Sequence, residues 1–166
     1  MELKYGFLAG IFCVMWRSFE YYMGWPDTET GSYSGYIGIL LIGSGAYLCV
    51  REVRELNGGV IRFGKAFYTG MVCSFIVCIM MGAQAYVYYK YVDPQRTERM
   101  VHIFHDQGKK ENKSESEIKN VEDNARSFYS PLGQVQYDSG NTIIAGIFVS
   151  LVVAAITSMK KNESSR

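Results

Sequence analysis

The stretch AFYTGMVCSFIVCIMMGAQAYVYYKY, residues 66–91, decides the fold of this chain. It contains no Asp, Glu, Lys or Arg before Lys90. A helix of about 20 apolar residues, rising 1.5 Å per residue, crosses a hydrocarbon core of roughly 30 Å. Three further apolar runs of this kind lie at residues 5–23, 33–50 and 142–159. The sequence therefore predicts an all-α polytopic membrane protein with four transmembrane helices.

Averages over the whole chain conceal this segregation. The 166 residues have a mean hydropathy of −0.02 and a net charge of +1, because one polar segment offsets the apolar runs. A chain of this length fits a single domain, residues 1–166. Its cations lie in short clusters rather than along one basic face, so a nucleic-acid partner is not expected.

The charges of the connections predict the orientation of the chain in the membrane. The connection at residues 51–65 is basic, and so are residues 160–166, whereas the connection after the first run carries Asp27 and Glu29 without any cation. Short loops rich in Lys and Arg mark the cytoplasmic side. We therefore expect a bacterial inner-membrane protein with both termini in the cytoplasm.

The polar segment, residues 93–135, is predicted to form an extracytoplasmic helical insertion between the third and fourth spans. Pro94 can open a first helix, and Ser114 and Glu117 have the spacing of a capping box at the start of a second. Pro131 is expected to stop that second helix. The helices combine high charge with narrow apolar stripes, which favours a position on the membrane surface or against the bundle.

Arg17 and Glu20 are the ionisable residues of greatest interest, because each costs at least about 2.5 kcal/mol at the centre of a spanning helix. They lie one turn apart and could neutralise each other. One interpretation is that both side chains snorkel to the headgroups. The other is that Arg17, Glu20 and Gln84 line an outer-leaflet polar pocket for a lipid phosphate or a partner helix.

The fourth run carries a small residue at every fourth position, which places these residues on one helix face. Such faces let helix backbones approach closely in lipid. The spacing predicts either packing inside this bundle or a docking face for another subunit, and both can hold at once. We call these residues the small-residue seam: Thr142, Gly146, Ser150, Ala154 and Ser158.

The basic connection could hold anionic lipid headgroups or the surface of a cytoplasmic partner. Positive-inside topology alone also accounts for its charge. The cations that would serve this surface are Arg51, Arg54, Arg62 and Lys65.

Other chemistry-bearing residues form no recognisable constellation. His102 and His105 have ligand spacing but too few convergent partners, so surface histidines are the favoured interpretation. We expect no metal, no cofactor and no enzymatic activity, since no nucleophile with a base and no phosphate-cradling glycine loop is visible. The cysteines lie in apolar runs, which is typical of small buried hydrophobes rather than of disulfides: Cys13, Cys49, Cys73 and Cys78.

One succession of motifs carries a family resemblance. The motifs are Lys4-Tyr5-Gly6, Glu20, Gly35-Tyr36, Arg51-Glu52, Asn57-Gly58-Gly59, Phe63-Gly64-Lys65-Ala66-Phe67, Gly70 and Tyr91-Val92-Asp93-Pro94. In these the chain resembles, over essentially its whole length, the bacterial membrane family called domain of unknown function 4199 (DUF4199). The hydrophilic, Lys-rich outer segment departs from the family pattern, so no role is carried over to it.

The resemblance implies the four-span architecture but no catalytic residues. The resemblance also implies genes that often lie beside polyprenyl-phosphate glycosyltransferases and other envelope genes, which implies an accessory subunit. We therefore expect a non-catalytic inner-membrane subunit that binds and positions a partner, a polyprenyl-phosphate (lipid-linked sugar) glycosyltransferase of envelope biogenesis. The expected contacts are membrane lipids and either a membrane protein partner or further copies of this chain. The alternative is a small transporter or lipid-handling carrier that acts as an oligomer.

Overall fold

The protein is built from helices, which confirms the predicted all-α class. A computed structural model describes residues 1–158, apart from the side chains of residues 27, 29, 30 and 32. The cations at 160–166, the predicted span end at 159 and the acidic side chains of Asp27 and Glu29 therefore lie outside the described part. The helices are α1 (Glu2–Tyr22), α2 (Glu29–Leu56), α3 (Phe63–Val87), α4 (Arg96–Lys110), α5 (Glu115–Phe128) and α6 (Pro131–Ser158), with a π-helical turn at Tyr88–Val92 after α3 and a short 3-10 turn at Trp25–Asp27.

Three helices of the described part, rather than the predicted four, are long and apolar enough to cross a membrane. These candidate spans are Tyr33–Leu56, Phe63–Val92 and Pro131–Ser158. Helix α1 has sufficient length but is not among them. The physical reason is composition, because Arg17 and Glu20 lie within its apolar run and lower its mean hydropathy.

Helix α6 begins at Pro131, well before the predicted start at Thr142. Pro131 ends α5 as expected, but it also opens the next helix, since proline is well suited to the first helical position. The Ser130 hydroxyl caps this helix by accepting a hydrogen bond from the Gly133 N–H at 3.0 Å. The polar residues in the first turns of α6 lower the hydropathy of this segment, so the hydropathy pattern did not predict a helix start there.

The chain divides into two compact units. The first comprises Met1–Met81 and the described part of Gly140–Arg166, and the second comprises Gly82–Ser139. In the first unit, one apolar cluster centres on Val50 and Val153 and another on Ala9 and Val77. Helices α1 and α2 pack closely at Gly45, where an added Cβ would lie only 2.5 Å from the Ala9 Cβ.

The second unit contains a hairpin of α4 and α5. A Cβ at Gly108 would lie 3.0 Å from Ile118, so the two helices are in close contact there. Ser114 and Glu117 form the predicted capping box. His105 Nδ1 lies 2.7 Å from Glu122 Oε1 across the hairpin. The insertion predicted at 93–135 is therefore helical, with α6 starting inside it.

Candidate functional site

Arg17 and Glu20 form a largely buried ion pair in the first unit. Arg17 Nη1 donates to Glu20 Oε2 at 2.9 Å, and the Glu20 side chain is only 2% exposed. The other carboxylate oxygen, Oε1, is buried without a hydrogen-bond partner among the described residues. The Glu20 carboxylate is therefore enclosed by protein rather than turned outward, whereas the Arg17 side chain keeps 21% of its surface exposed.

The sequence of α1 explains this placement. Positions three residues apart share a helix face, and Arg17 also lies over the Tyr21 ring at 4.9 Å. The face that α1 leaves exposed is apolar apart from Lys4 near its start and Ser18 in its second half. It carries Leu3, Phe7, Leu8, Ile11, Phe12, Met15, Phe19 and Tyr22.

Gln84, the third residue of the predicted pocket, belongs to the second unit. Its Oε1 is buried without a hydrogen-bond partner in the described part of the chain. Within the first unit the structure brings together only Arg17 and Glu20.

The small-residue seam lies against α3. A Cβ at Gly146 would be 2.6 Å from the Ser74 Cβ, and a Cβ at Gly70 would be 2.8 Å from the Ser150 Oγ. Each helix thus places a glycine against a serine of the other, in antiparallel order. Thr142, Gly146, Ser150 and Ala154 are buried and Ser158 is half-buried, so this face is used for packing within the first unit.

The four cations of the basic connection are not equivalent. Arg51 Nε is 2.9 Å from Glu55 Oε1, and Arg54 Nε donates to the Gly59 carbonyl oxygen at 2.7 Å. Gly59, like Gly58, has the positive φ expected of this turn. Arg62 and Lys65 are exposed and form no ion pair with any described residue.

Three buried polar residues of the second unit were missed by the sequence analysis: Arg96, Gln134 and Asp138. Arg96 is 6% exposed, and its Nε donates to the Tyr89 hydroxyl at 3.2 Å. Gln134 and Asp138 of α6 are also buried, and Gln134 Nε2 donates to the Phe128 carbonyl oxygen at 2.9 Å. The available sequence signal was the tyrosine-rich run at residues 86–91. The π-helical turn that it contains is visible only in the structure, and such turns are frequent at functional sites.

Asp93 supports a pH-dependent prediction in this unit. Arg99 binds both oxygens of Asp93, at 2.9 and 2.5 Å, and these hydrogen bonds lower the pKa of the carboxyl below its usual 3.8. A depressed folded-state pKa adds stability above the unfolded-state value, and that stability is lost as the pH falls through the folded-state pKa. We expect Asp93→Asn to cost up to about 1 kcal/mol at pH 7 and almost nothing at the lowest pH tolerated by the fold.

Unfolding of the detergent-solubilised protein, followed by circular dichroism at neutral and acidic pH, measures whether the stabilities of the wild-type chain and Asp93→Asn become equal in acid. Arg99→Gln serves as the matched variant, because it removes the same contact from the other side. A stability deficit of Asp93→Asn that persists unchanged in acid would contradict the assignment.

The histidines and cysteines give no sign of a metal site in the described part of the chain. His102 is exposed, and His105 is engaged by Glu122. No group of three potential ligands that could hold a metal ion is present among the described residues. The four cysteines are buried and form no disulfide among the described residues, as predicted.

The comparisons with known proteins bear on family rather than on activity. No curated protein and no solved structure matches the chain. The family described as "Protein of unknown function (DUF4199)" matches residues 4–159, which is nearly the whole sequence. The chain therefore belongs to the DUF4199 family.

Proposed function

We propose that this chain is a four-span, non-catalytic membrane subunit that binds and positions a membrane partner. The inclusion of α1 as a span is supported by the direction of its side chains. Its 21 residues give a length of roughly 31 Å. Its exposed face between Phe7 and Met15 carries only apolar side chains, and Glu20 is turned inward to Arg17. A low mean hydropathy does not prevent membrane insertion when the charged groups face protein.

The proposed location is a bacterial inner membrane with both termini in the cytoplasm and residues 93–135 outside. The basic connection between α2 and α3 supports this orientation, because short basic loops remain on the cytoplasmic side.

The observation that carries the partner-binding proposal is an open glycine face on α2. A Cβ at Gly35 or Gly38 would have nothing within 4 Å, whereas those at Gly45, Gly70 and Gly146 would meet a neighbouring helix. In lipid, glycine weakens a helix and adds little packing of its own, but it lets another helix approach closely. Gly35 and Gly38 therefore provide a surface for a transmembrane helix of the partner.

The proposed partner is a glycosyltransferase that handles a polyprenyl-phosphate-linked sugar in envelope biogenesis. Such an enzyme needs to be held beside its lipid substrate, and a small membrane subunit can supply that anchor. The resemblance to DUF4199 supports this choice of partner, because it implies that genes for such glycosyltransferases lie nearby.

Gly35→Leu tests the proposal. We expect at least a tenfold lower recovery of the partner when the tagged full chain is gently extracted from native membranes, because the added side chain fills the approach surface. The fold should persist, since the position is open and leucine favours helix more than glycine does. Mass spectrometry of the co-purifying proteins measures the recovery.

Gly140→Leu is the matched control, because Gly140 is also helical and a Cβ there would also have nothing within 4 Å. It should leave partner recovery unchanged. Recovery of the wild-type chain without a stoichiometric partner, or equal recovery with both variants, would refute partner binding through this face.

A carrier that acts as an oligomer is the second candidate, and the unpartnered Glu20 Oε1 favours it. Intramembrane carboxylates recur on ion and proton pathways. Substrate-dependent flux into vesicles that contain only this protein, abolished by Glu20→Gln, would establish the carrier and displace the subunit proposal.

A further inference from the structure

Two exposed cations at the junction of α2 and α3 stand out from the other basic residues of the first unit. Lys4 pairs with Glu52 at 3.6 Å, Arg51 pairs with Glu55, and Arg54 binds the Gly59 carbonyl. Arg62 and Lys65 have no such partner among residues 1–158.

Their surroundings contain little negative charge that could satisfy them. Lys65 lies 5.8 Å from the centre of the Tyr68 ring and interacts with Glu2 only beyond ion-pair distance. The first turn of α3 contains no acidic residue. Neither cation therefore has an ion-pair partner among residues 1–158, and Glu2 offsets the charge of Lys65 only from a distance.

The position of this charge along the chain places it at a membrane boundary. One candidate span ends at Leu56 and the next begins at Phe63. Leu56, Val60 and Phe63 are 66%, 62% and 45% exposed. Exposed apolar side chains beside cations are typical of the interface, where the apolar groups enter the acyl region and the charges meet the headgroups.

We propose that Arg62 and Lys65 bind the phosphodiester headgroup of an anionic glycerophospholipid in the leaflet that this connection faces. The apolar side chains decide in favour of a lipid over a soluble acidic peptide, because lipid supplies both the phosphate and the acyl surface that these side chains require. Arg51 and Arg54 are left out of this site, because each already donates its Nε–H to an acceptor of the protein, Glu55 and the Gly59 carbonyl respectively. The inference does not depend on the partner proposed above.

The test uses the purified full chain in detergent, titrated with phosphatidylglycerol or with phosphatidylcholine of the same acyl chains. Native mass spectrometry counts the bound lipid. We expect preferential binding of phosphatidylglycerol and an affinity about 30-fold lower for the double variant Arg62→Gln, Lys65→Gln. This corresponds to two contributions of about 1 kcal/mol each. The variant should fold, because both side chains are exposed.

The double variant Lys109→Gln, Lys110→Gln is the control, because it removes the same net charge from exposed positions on α4. It should change phosphatidylglycerol affinity less than twofold. Equal affinity for the two lipids, or equal losses in both double variants, would overturn the proposal. Loss of a co-purifying protein with phosphatidylglycerol affinity unchanged would also overturn it, in favour of a protein-binding surface.

Discussion

Replacing Arg17 with Ala is expected to lower the free energy of unfolding by about 3–5 kcal/mol, the cost of breaking a buried ion pair from one side. The substitution leaves the Glu20 carboxylate, 2% exposed, without the guanidinium that binds its Oε2. Because Oε1 already has no hydrogen-bond partner among the described residues, little remains nearby to compensate the charge. Equilibrium unfolding in mixed detergent micelles, followed by circular dichroism, measures this loss.

The double variant Arg17→Ala, Glu20→Gln separates charge from packing. Removal of the carboxylate's charge should recover more than half of the lost stability, because a neutral amide is far less costly to bury than an unpaired carboxylate. If both variants are equally destabilised, the loss arises from the packing of Arg17 over Tyr21. If Arg17→Ala is neutral, the pair lies in water or headgroups and the inward assignment of Glu20 is wrong.

Helix α1 shows how far hydropathy can predict this fold. The sequence correctly placed a helix over residues 5–23, but its mean hydropathy could not reveal which way Arg17 and Glu20 point. That direction depends on contacts with other helices. The same limit applies to Gln84, which the sequence grouped with Arg17 and Glu20 and which the structure assigns to the second unit.

The start of α6 and the burial of Arg96 could not be predicted from hydropathy for a related reason. The residues between Pro131 and Thr142 include polar groups that lower the hydropathy of the segment, yet Gln134 and Asp138 are buried. Arg96 likewise counts as a surface charge in any composition-based prediction, whereas in the fold it contacts Tyr89. By contrast, the capping box at Ser114 was predictable, because its partners lie within one turn.

The small-residue seam has the second large expected effect. Gly146→Leu should lower stability by about 3 kcal/mol or more and Gly146→Ala by about 1–3 kcal/mol, the cost of overpacking a close contact. A Cβ at this position meets the Ser74 Cβ at 2.6 Å, so α3 and α6 would have to separate. Gly140→Ala on the same helix, where a Cβ has open space, should be neutral or stabilising by up to about 1 kcal/mol.

A compensating change shows whether the contact with Ser74 causes this loss. In the Gly146→Ala background, Ser74→Gly removes the opposing Cβ and leaves the Ser74 Cα position at 4.0 Å, which is ordinary contact distance. It sacrifices no hydrogen bond seen among the described residues, since the Ser74 hydroxyl has no partner there. The double variant should therefore be more stable than Gly146→Ala alone, with a coupling energy of about 1 kcal/mol or more. If Ser74→Gly changes stability by the same amount in the wild-type chain and in the Gly146→Ala background, Gly146 faces a different surface. The small-residue seam would then again be available to another subunit.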